Sequence, residues 1–199
     1  DPITSAAATH PSGLHYSPRR YEGSMKENQR HGQGIEFDED GRVVFIGQHV
    51  RDVKAGQGKF YFYFPPNVTV RFDCEIRDMM CWRFGRRFVN GRLNYEGEFN
   101  RGDSLKANGN GTLIVARQFG SNRFNASDRI FVGDSLLPDT EAGDIYAGQF
   151  TNDIPNGYGR YFRKDERLEY AGVWKNGTLY AGEQYYCTDY GYDYGNPDV

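Results

Sequence analysis

Cysteine is scarce in this chain of 199 residues. Cys74, Cys81 and Cys187 are an odd and sparse set, unlike the dense, even framework of small secreted domains, and the expectation is a reducing compartment. No apolar run approaches the roughly 20 residues of a membrane-spanning helix, and the N-terminus lacks the charged-then-apolar pattern of a secretory signal. There is no basic excess either. The formal net charge is −3, which gives no global drive toward nucleic acid or an anionic membrane, so any such attraction must be local. Aliphatic residues, the usual filling of a globular core, are comparatively sparse. The chain therefore reads as soluble and cytoplasmic. It opens on Asp1 with no initiator Met, which permits a longer parent protein.

Glycine and aromatics are plentiful: 25 Gly, 15 Tyr and 14 Phe. Aromatic side chains bury large areas and can replace aliphatic bulk where glycines let backbones approach. Residues 1–20, rich in Ala, Ser, Thr and Pro, show no apolar periodicity and read as a flexible leader.

From Tyr21 onward the chain repeats. Tyr21-Glu22-Gly23-Ser24-Met25, Phe45-Ile46-Gly47-Gln48-His49, Tyr95-Glu96-Gly97-Glu98-Phe99, Tyr146-Ala147-Gly148-Gln149-Phe150 and Tyr170-Ala171-Gly172-Val173-Trp174 each open on an aromatic, carry glycine two places on and usually a bulky apolar residue four places on. Gly32-Gln33-Gly34, Gly56-Gln57-Gly58 and Gly157-Tyr158-Gly159 follow at one offset, and Gly109-Asn110-Gly111 three residues later, after a longer loop at Asp103 to Lys106. The step from Tyr21 to Phe45 and from Tyr146 to Tyr170 is 24 residues, enough for two short strands and their turns. Period-two alternation puts aromatic, glycine and apolar residue on one strand face. β-formers follow the Gly-x-Gly strings, and Asp40-Gly41 supplies the reversal into the next unit. The result is a continuous antiparallel meander.

Two stretches are degenerate, at 66–94 and 116–144. In the first, Val70 to Ile76 reads as a repeat with Phe72 in the opening position and Cys74 in the glycine's place; in the second, Asn122 to Gly143 reads as a long insertion. Tyr170 opens a unit whose second strand is expected to be missing, with Tyr180-Ala181-Gly182 restarting the motif too early. Residues 183–199 read as a Tyr-rich, acidic tail that caps the edge or docks in a groove by strand addition.

This pattern resembles the MORN repeat family, whose units run Tyr-Glu-Gly-x-Trp, a short turn, His-Gly-x-Gly and a strand closing in Asp-Gly. Tyr21-Glu22-Gly23, His31-Gly32-Gln33-Gly34 and Asp40-Gly41 match it, as do residues 146 to 159 and 170 to 177. The resemblance implies an all-β fold, an elongated and twisted antiparallel meander of tandem hairpins over residues 21–182. It also implies a groove, self-association into a homodimer, no catalytic residues, and a scaffolding role tethering proteins to one another, to membranes or to cytoskeleton.

Other chemistries are weaker. A dinucleotide fingerprint needs a third glycine at Phe37, Tyr61, Ile114 or Phe162, which are strand residues. His10, His15, His31 and His49 have no ligand spacing with the cysteines, so no metal or other cofactor is expected. There is no Gly-x-Ser-x-Gly elbow, and nothing brings a histidine to Cys187. Sequons begin at Asn67, Asn110, Asn125 and Asn176; two are Asn-Gly-Thr at repeat turns, which turn chemistry explains.

The most unusual stretch interleaves Trp82, Phe84 and Phe88 with Arg83, Arg86, Arg87 and Arg92. Alternation puts Trp82, Phe84 and Arg86 on one face and Arg83 on the other. Guanidinium forks beside aromatics suit an acidic peptide or a phosphoinositide headgroup, while pairing with the chain's own acids is the plainer account. The expected function is a non-catalytic interaction module that binds a partner peptide or helix, peripheral to membrane or cytoskeleton. The alternatives are anionic lipid binding through this patch, or the regulatory region of a larger enzyme. Nucleic acid is not an expected partner.

Overall fold

The computed structural model describes residues 8–9, 15–16, 20–64, 67–77, 80–100, 105–115, 141–188 and 191–193. Most of the expected leader, most of the insertion at 116–144, much of the loop before Lys106, and Asp189, Tyr190, Tyr194 and Asp198 of the tail lie outside the described residues, as do the side chains of Tyr186, Cys187, Tyr192 and Asp193.

Among the described residues every element is a strand. β1 (Ala8–Thr9) pairs with β2 (His15–Tyr16), and β15 (Tyr186–Thr188) with β16 (Gly191–Asp193). Between them run β3 (Arg20–Lys26), β4 (Gln29–Phe37), β5 (Val43–Val50), β6 (Val53–Phe64), β7 (Val68–Arg77), β8 (Met80–Val89), β9 (Arg92–Phe99), β10 (Ala107–Ile114), β11 (Ile145–Thr151), β12 (Ile154–Phe162), β13 (Leu168–Lys175) and β14 (Thr178–Gln184). These twelve are hydrogen-bonded in sequence order as one unclosed antiparallel sheet, the meander that the repeats predict. By internal contacts the chain divides into two compact units, Asp1–Leu93 with Phe99–Lys106, and Asn94–Glu98 with Ala107–Val199.

Turn chemistry explains the up-and-down path. Glu27-Asn28, Arg51-Asp52, Asn90-Gly91, Asn152-Asp153 and Asn176-Gly177 each hold two successive residues at positive φ, the two-residue hairpin turn whose twist matches that of its strands. The wider reversal at 38–42 is held by Asp38, whose Oδ1 accepts from the backbone N–H groups of Asp40 and Arg42 at 3.0 and 2.8 Å.

Register reveals a row of glycines across each unit. In the first, Gly23 faces Gly34, then Gly47, Gly58, Cys74 and Gly85 in succession. In the second, Gly111 faces Gly148, then Gly159, Gly172 and Gly182. Cys74 thus stands in the glycine's place, as its sequence position suggests. The last unit, however, does complete its second strand: β14 pairs with β13 and sets Gly182 against Gly172, so Tyr180-Ala181-Gly182 is the return strand and not a premature restart. It lacks the Gly-x-Gly signature because one glycine at the crossing point is sufficient.

The row exists because the opening tyrosines lie over it. Tyr21, Tyr95 and Tyr146 each donate a hydroxyl hydrogen bond to the carbonyl three residues on, Ser24, Glu98 and Gln149, at 3.0, 2.8 and 3.2 Å. A Cβ at Gly159 would fall on the fully buried Tyr146 ring. Gly159→Ala is therefore expected to cost about 1–3 kcal/mol by overpacking, seen as a lower denaturant midpoint. A variant as stable as wild type would mean that the ring can move aside.

Candidate functional site

The arginine-rich stretch is β8, the return strand of the degenerate repeat opened by Phe72. Its register sets Cys81 against Ile76, Gly85 against Cys74, Arg87 against Phe72 and Val89 against Val70, and all of these except Gly85 are also among the buried side chains. The alternate residues face the other way. Arg86 lies opposite Asp73 and Phe88 opposite Arg71, and Phe84 is 57% exposed. A bulge between the pairs at Cys74 and Ile76 accommodates extra residues of β8, with Arg83 at φ 52; such bulges re-aim side chains.

The seven residues singled out in the sequence therefore separate. Trp82, Phe84, Arg86 and Phe88 share the outward side of β8, while Arg83 sits in the bulge and is exposed. Arg87 is only 1% exposed and turns into the core, because strand alternation gives two adjacent arginines opposite faces. Arg92 is exposed at the first position of β9.

The outward side is an alternation of rings and ion pairs. The Arg71 guanidinium lies 3.9 Å from the Phe88 ring centroid and bonds Asp73 at 2.7 Å. Arg77 lies 4.9 Å from the Trp82 ring and bonds Glu75 at 2.8 Å. These contacts hold the arginine planes along aromatic faces. Phe84, between Trp82 and Arg86, leaves most of its ring in solvent.

Cys74 and Cys81 form a disulfide across β7 and β8, with Cα atoms 5.5 Å apart. The sparse, odd cysteine count pointed away from a bridge. The pairing arises because Cys74, in the glycine row, and Cys81, opposite Ile76, share the buried face one register step apart.

Sequence reasoning missed a buried polar couple. Glu36 and His49 are both fully buried, and Glu36 Oε1 lies 3.0 Å from His49 Nε2 and accepts from Arg30 Nη1 at 2.8 Å. Oε2 lies 2.7 Å from Lys54 Nζ. Burial pushes the Glu36 carboxyl up, but His49, Lys54 and Arg30 more than offset it and hold it below its ordinary value. The signal was present: Glu36 stands two places after Gly34 and His49 two after Gly47, where the second unit has Tyr161 and Trp174. That pair makes an aromatic contact at 6.2 Å between centroids. Asp144, buried beside Tyr161, is likewise pushed up by burial yet held low on balance, by the Tyr161 hydroxyl at 2.5 Å and the backbone N–H groups of Glu141 and Lys164. Among the described residues no group of three or more His, Cys, Asp or Glu is placed to hold a metal ion, and no helix is long and apolar enough to cross a membrane.

Paired glycines under a stacked aromatic, repeated hairpin after hairpin, define a β-hairpin repeat protein. The MORN repeat model matches residues 21–41 and 146–165, one stretch in each unit, and the chain carries MORN repeats at both places. MORN repeats form a non-catalytic module generally associated with scaffolds that bind proteins or membranes. Compared with curated proteins, the chain matches none.

Proposed function

We propose that this protein is a scaffolding module that captures a partner peptide or helix on the outward side of β7 and β8, in a membrane-linked setting. The observation that carries the reading is Phe84, a large ring 57% exposed on a strand whose neighbouring rings, Trp82 and Phe88, lie beneath arginines. Interfaces draw most of their affinity from a few aromatic and arginine anchors. The fitting ligand is a segment with an apolar side chain to cover Phe84 and carboxylates to meet Arg86 and the exposed Arg83. A polyanionic headgroup fits less well, because it offers nothing apolar to cover the exposed Phe84 ring.

The test is a selection of peptides from a display library, with titration of those recovered. The expected winners carry Asp or Glu beside an aromatic or aliphatic residue, and a Trp82→Ala, Phe88→Ala double variant binds them about 30-fold more weakly, equivalent to roughly 2 kcal/mol, with an unchanged unfolding midpoint. Equal binding by wild type and variant would remove this face as the site. Salt-sensitive sedimentation with phosphoinositide vesicles, and no peptide recovered, would favour the lipid alternative.

A further inference from the structure

We propose that Asn67, Asn110 and Asn176 are N-glycan acceptors and that the protein matures in an oxidising secretory compartment, where the sequence alone pointed to the cytoplasm. Two independent observations converge.

The first is the sequons. Thirteen asparagines and sixteen Ser plus Thr in 199 residues would place about one Asn-x-Ser/Thr by chance, yet four occur. Hairpin chemistry accounts for Asn followed by Gly at Asn176, but not for a hydroxyl in the third place, and Asn110 lies within β10 rather than at the turn its sequence suggests. Asn90-Gly91 is followed by Arg92 and Asn156-Gly157 by Tyr158, so the fold works without it. The structure adds placement. All three described acceptors are exposed. Asn67 lies in the turn before β7, Asn110 on the outward side of β10 opposite Gln149, and Asn176 in the β13–β14 turn at φ 49. Thr178, the hydroxyl residue of the third sequon, is itself exposed and bonds the Lys175 carbonyl at 3.0 Å. Asn125 lies outside the described residues.

The second is the Cys74–Cys81 bridge. Disulfides persist where the surroundings are oxidising and are reduced in the cytosol. Its formation removes two electrons and two protons from the thiols, which the disulfide-bearing oxidant of such a compartment accepts. Glycan transfer involves no redox change. The asparagine amide nitrogen displaces the pyrophosphate of a lipid-linked oligosaccharide at the sugar's anomeric carbon: a C–N bond forms, a C–O bond breaks, the pyrophosphate leaves with the electron pair, and one amide proton is lost. One signal is redox chemistry and the other glycosyl transfer, and both belong to the same compartment.

The experiment uses the protein isolated from its own cells. Peptide N-glycosidase in heavy-oxygen water should raise its gel mobility and convert Asn67, Asn110 or Asn176 to labelled Asp in the mass spectrum. Asn67→Gln, Asn110→Gln and Asn176→Gln should each remove one mobility step. Alkylation without reductant should leave Cys74 and Cys81 unmodified. Label at one or more of the three positions supports the proposal. Bare asparagines at all three overturn it, whether or not the cysteines are bridged.

Discussion

Truncating Glu36 to alanine is expected to lower the unfolding free energy by about 3–5 kcal/mol, because removing one member of a buried ionic group leaves the others without compensation. Arg30 Nη1 and His49 Nε2 both lose the Oε1 partner, and Lys54 loses Oε2. His49 suffers most. It is fully buried and its Nδ1 has no hydrogen-bond partner among the described residues, so the variant strands a wholly unsatisfied imidazole between Tyr21 and Phe45. Denaturant unfolding measures the loss, and a change under about 1 kcal/mol would show that the couple does not hold the core together.

A companion substitution separates charge from packing. The second unit fills the same two positions with Tyr161 and Trp174, so Glu36→Phe with His49→Trp should recover most of the loss, as buried ionic groups replaced by apolar ones of similar volume often do. Phenylalanine is preferred over tyrosine because the Tyr161 hydroxyl depends on Asp144, and Val43 stands in the corresponding place, two before the opening aromatic.

The couple also sets a pH dependence. The folded Glu36 carboxyl sits below its ordinary value, so in the window between the two the unfolded chain binds more protons. Stability then rises with pH. The contribution of Glu36 is full above the ordinary carboxylate range and disappears as pH falls through the folded value. The double apolar variant should lose this part of the acid limb, while the part due to Asp144, which is also held low, remains.

Trp174→Ala is the second large effect, at about 3–5 kcal/mol for a buried aromatic truncated in a core that cannot close over the space. Trp174 is fully buried against Tyr146 at 5.1 Å and Tyr161 at 6.2 Å between centroids, and its indole N–H donates to the Gly159 carbonyl at 3.3 Å. The loss should appear as faster amide exchange in β11 to β14. Trp174→Phe keeps a ring over the glycines and should lose less. If the two variants are equally destabilised, the indole hydrogen bond rather than the ring is what holds this core.

The repeat was legible because it is written in residues with few alternatives. Tyr21, Tyr146 and the facing glycines Gly23–Gly34 and Gly148–Gly159 mark a crossing where only glycine admits the ring. Asn28, Asp52 and Asn176 mark turns that demand positive φ. Such constraints are local, so they survive in sequence. Gly85 and Gly182 were harder to see, since each is a single glycine whose partner lies on another strand, and only register shows that Cys74 and Gly172 face them. In the candidate site, alternation correctly put Trp82, Phe84 and Arg86 on one side. Nothing in the string of arginines showed that Arg87 enters the core while Arg86 stands opposite Asp73 on the outward side.

Sequence by itself determined the all-β class, the hairpin as the unit and the places where aromatics cover glycines, because the turns demand positive φ from their own residues and each covered glycine faces a ring of the same short hairpin. Tertiary structure decided which strand face met the core, that Cys74 and Cys81 share it, and that Glu36 and His49 replace an aromatic pair inside it. Those outcomes follow from cross-strand register, a relation between residues on different strands: the repeat marks the positions of Glu36 and His49, but only register brings them together.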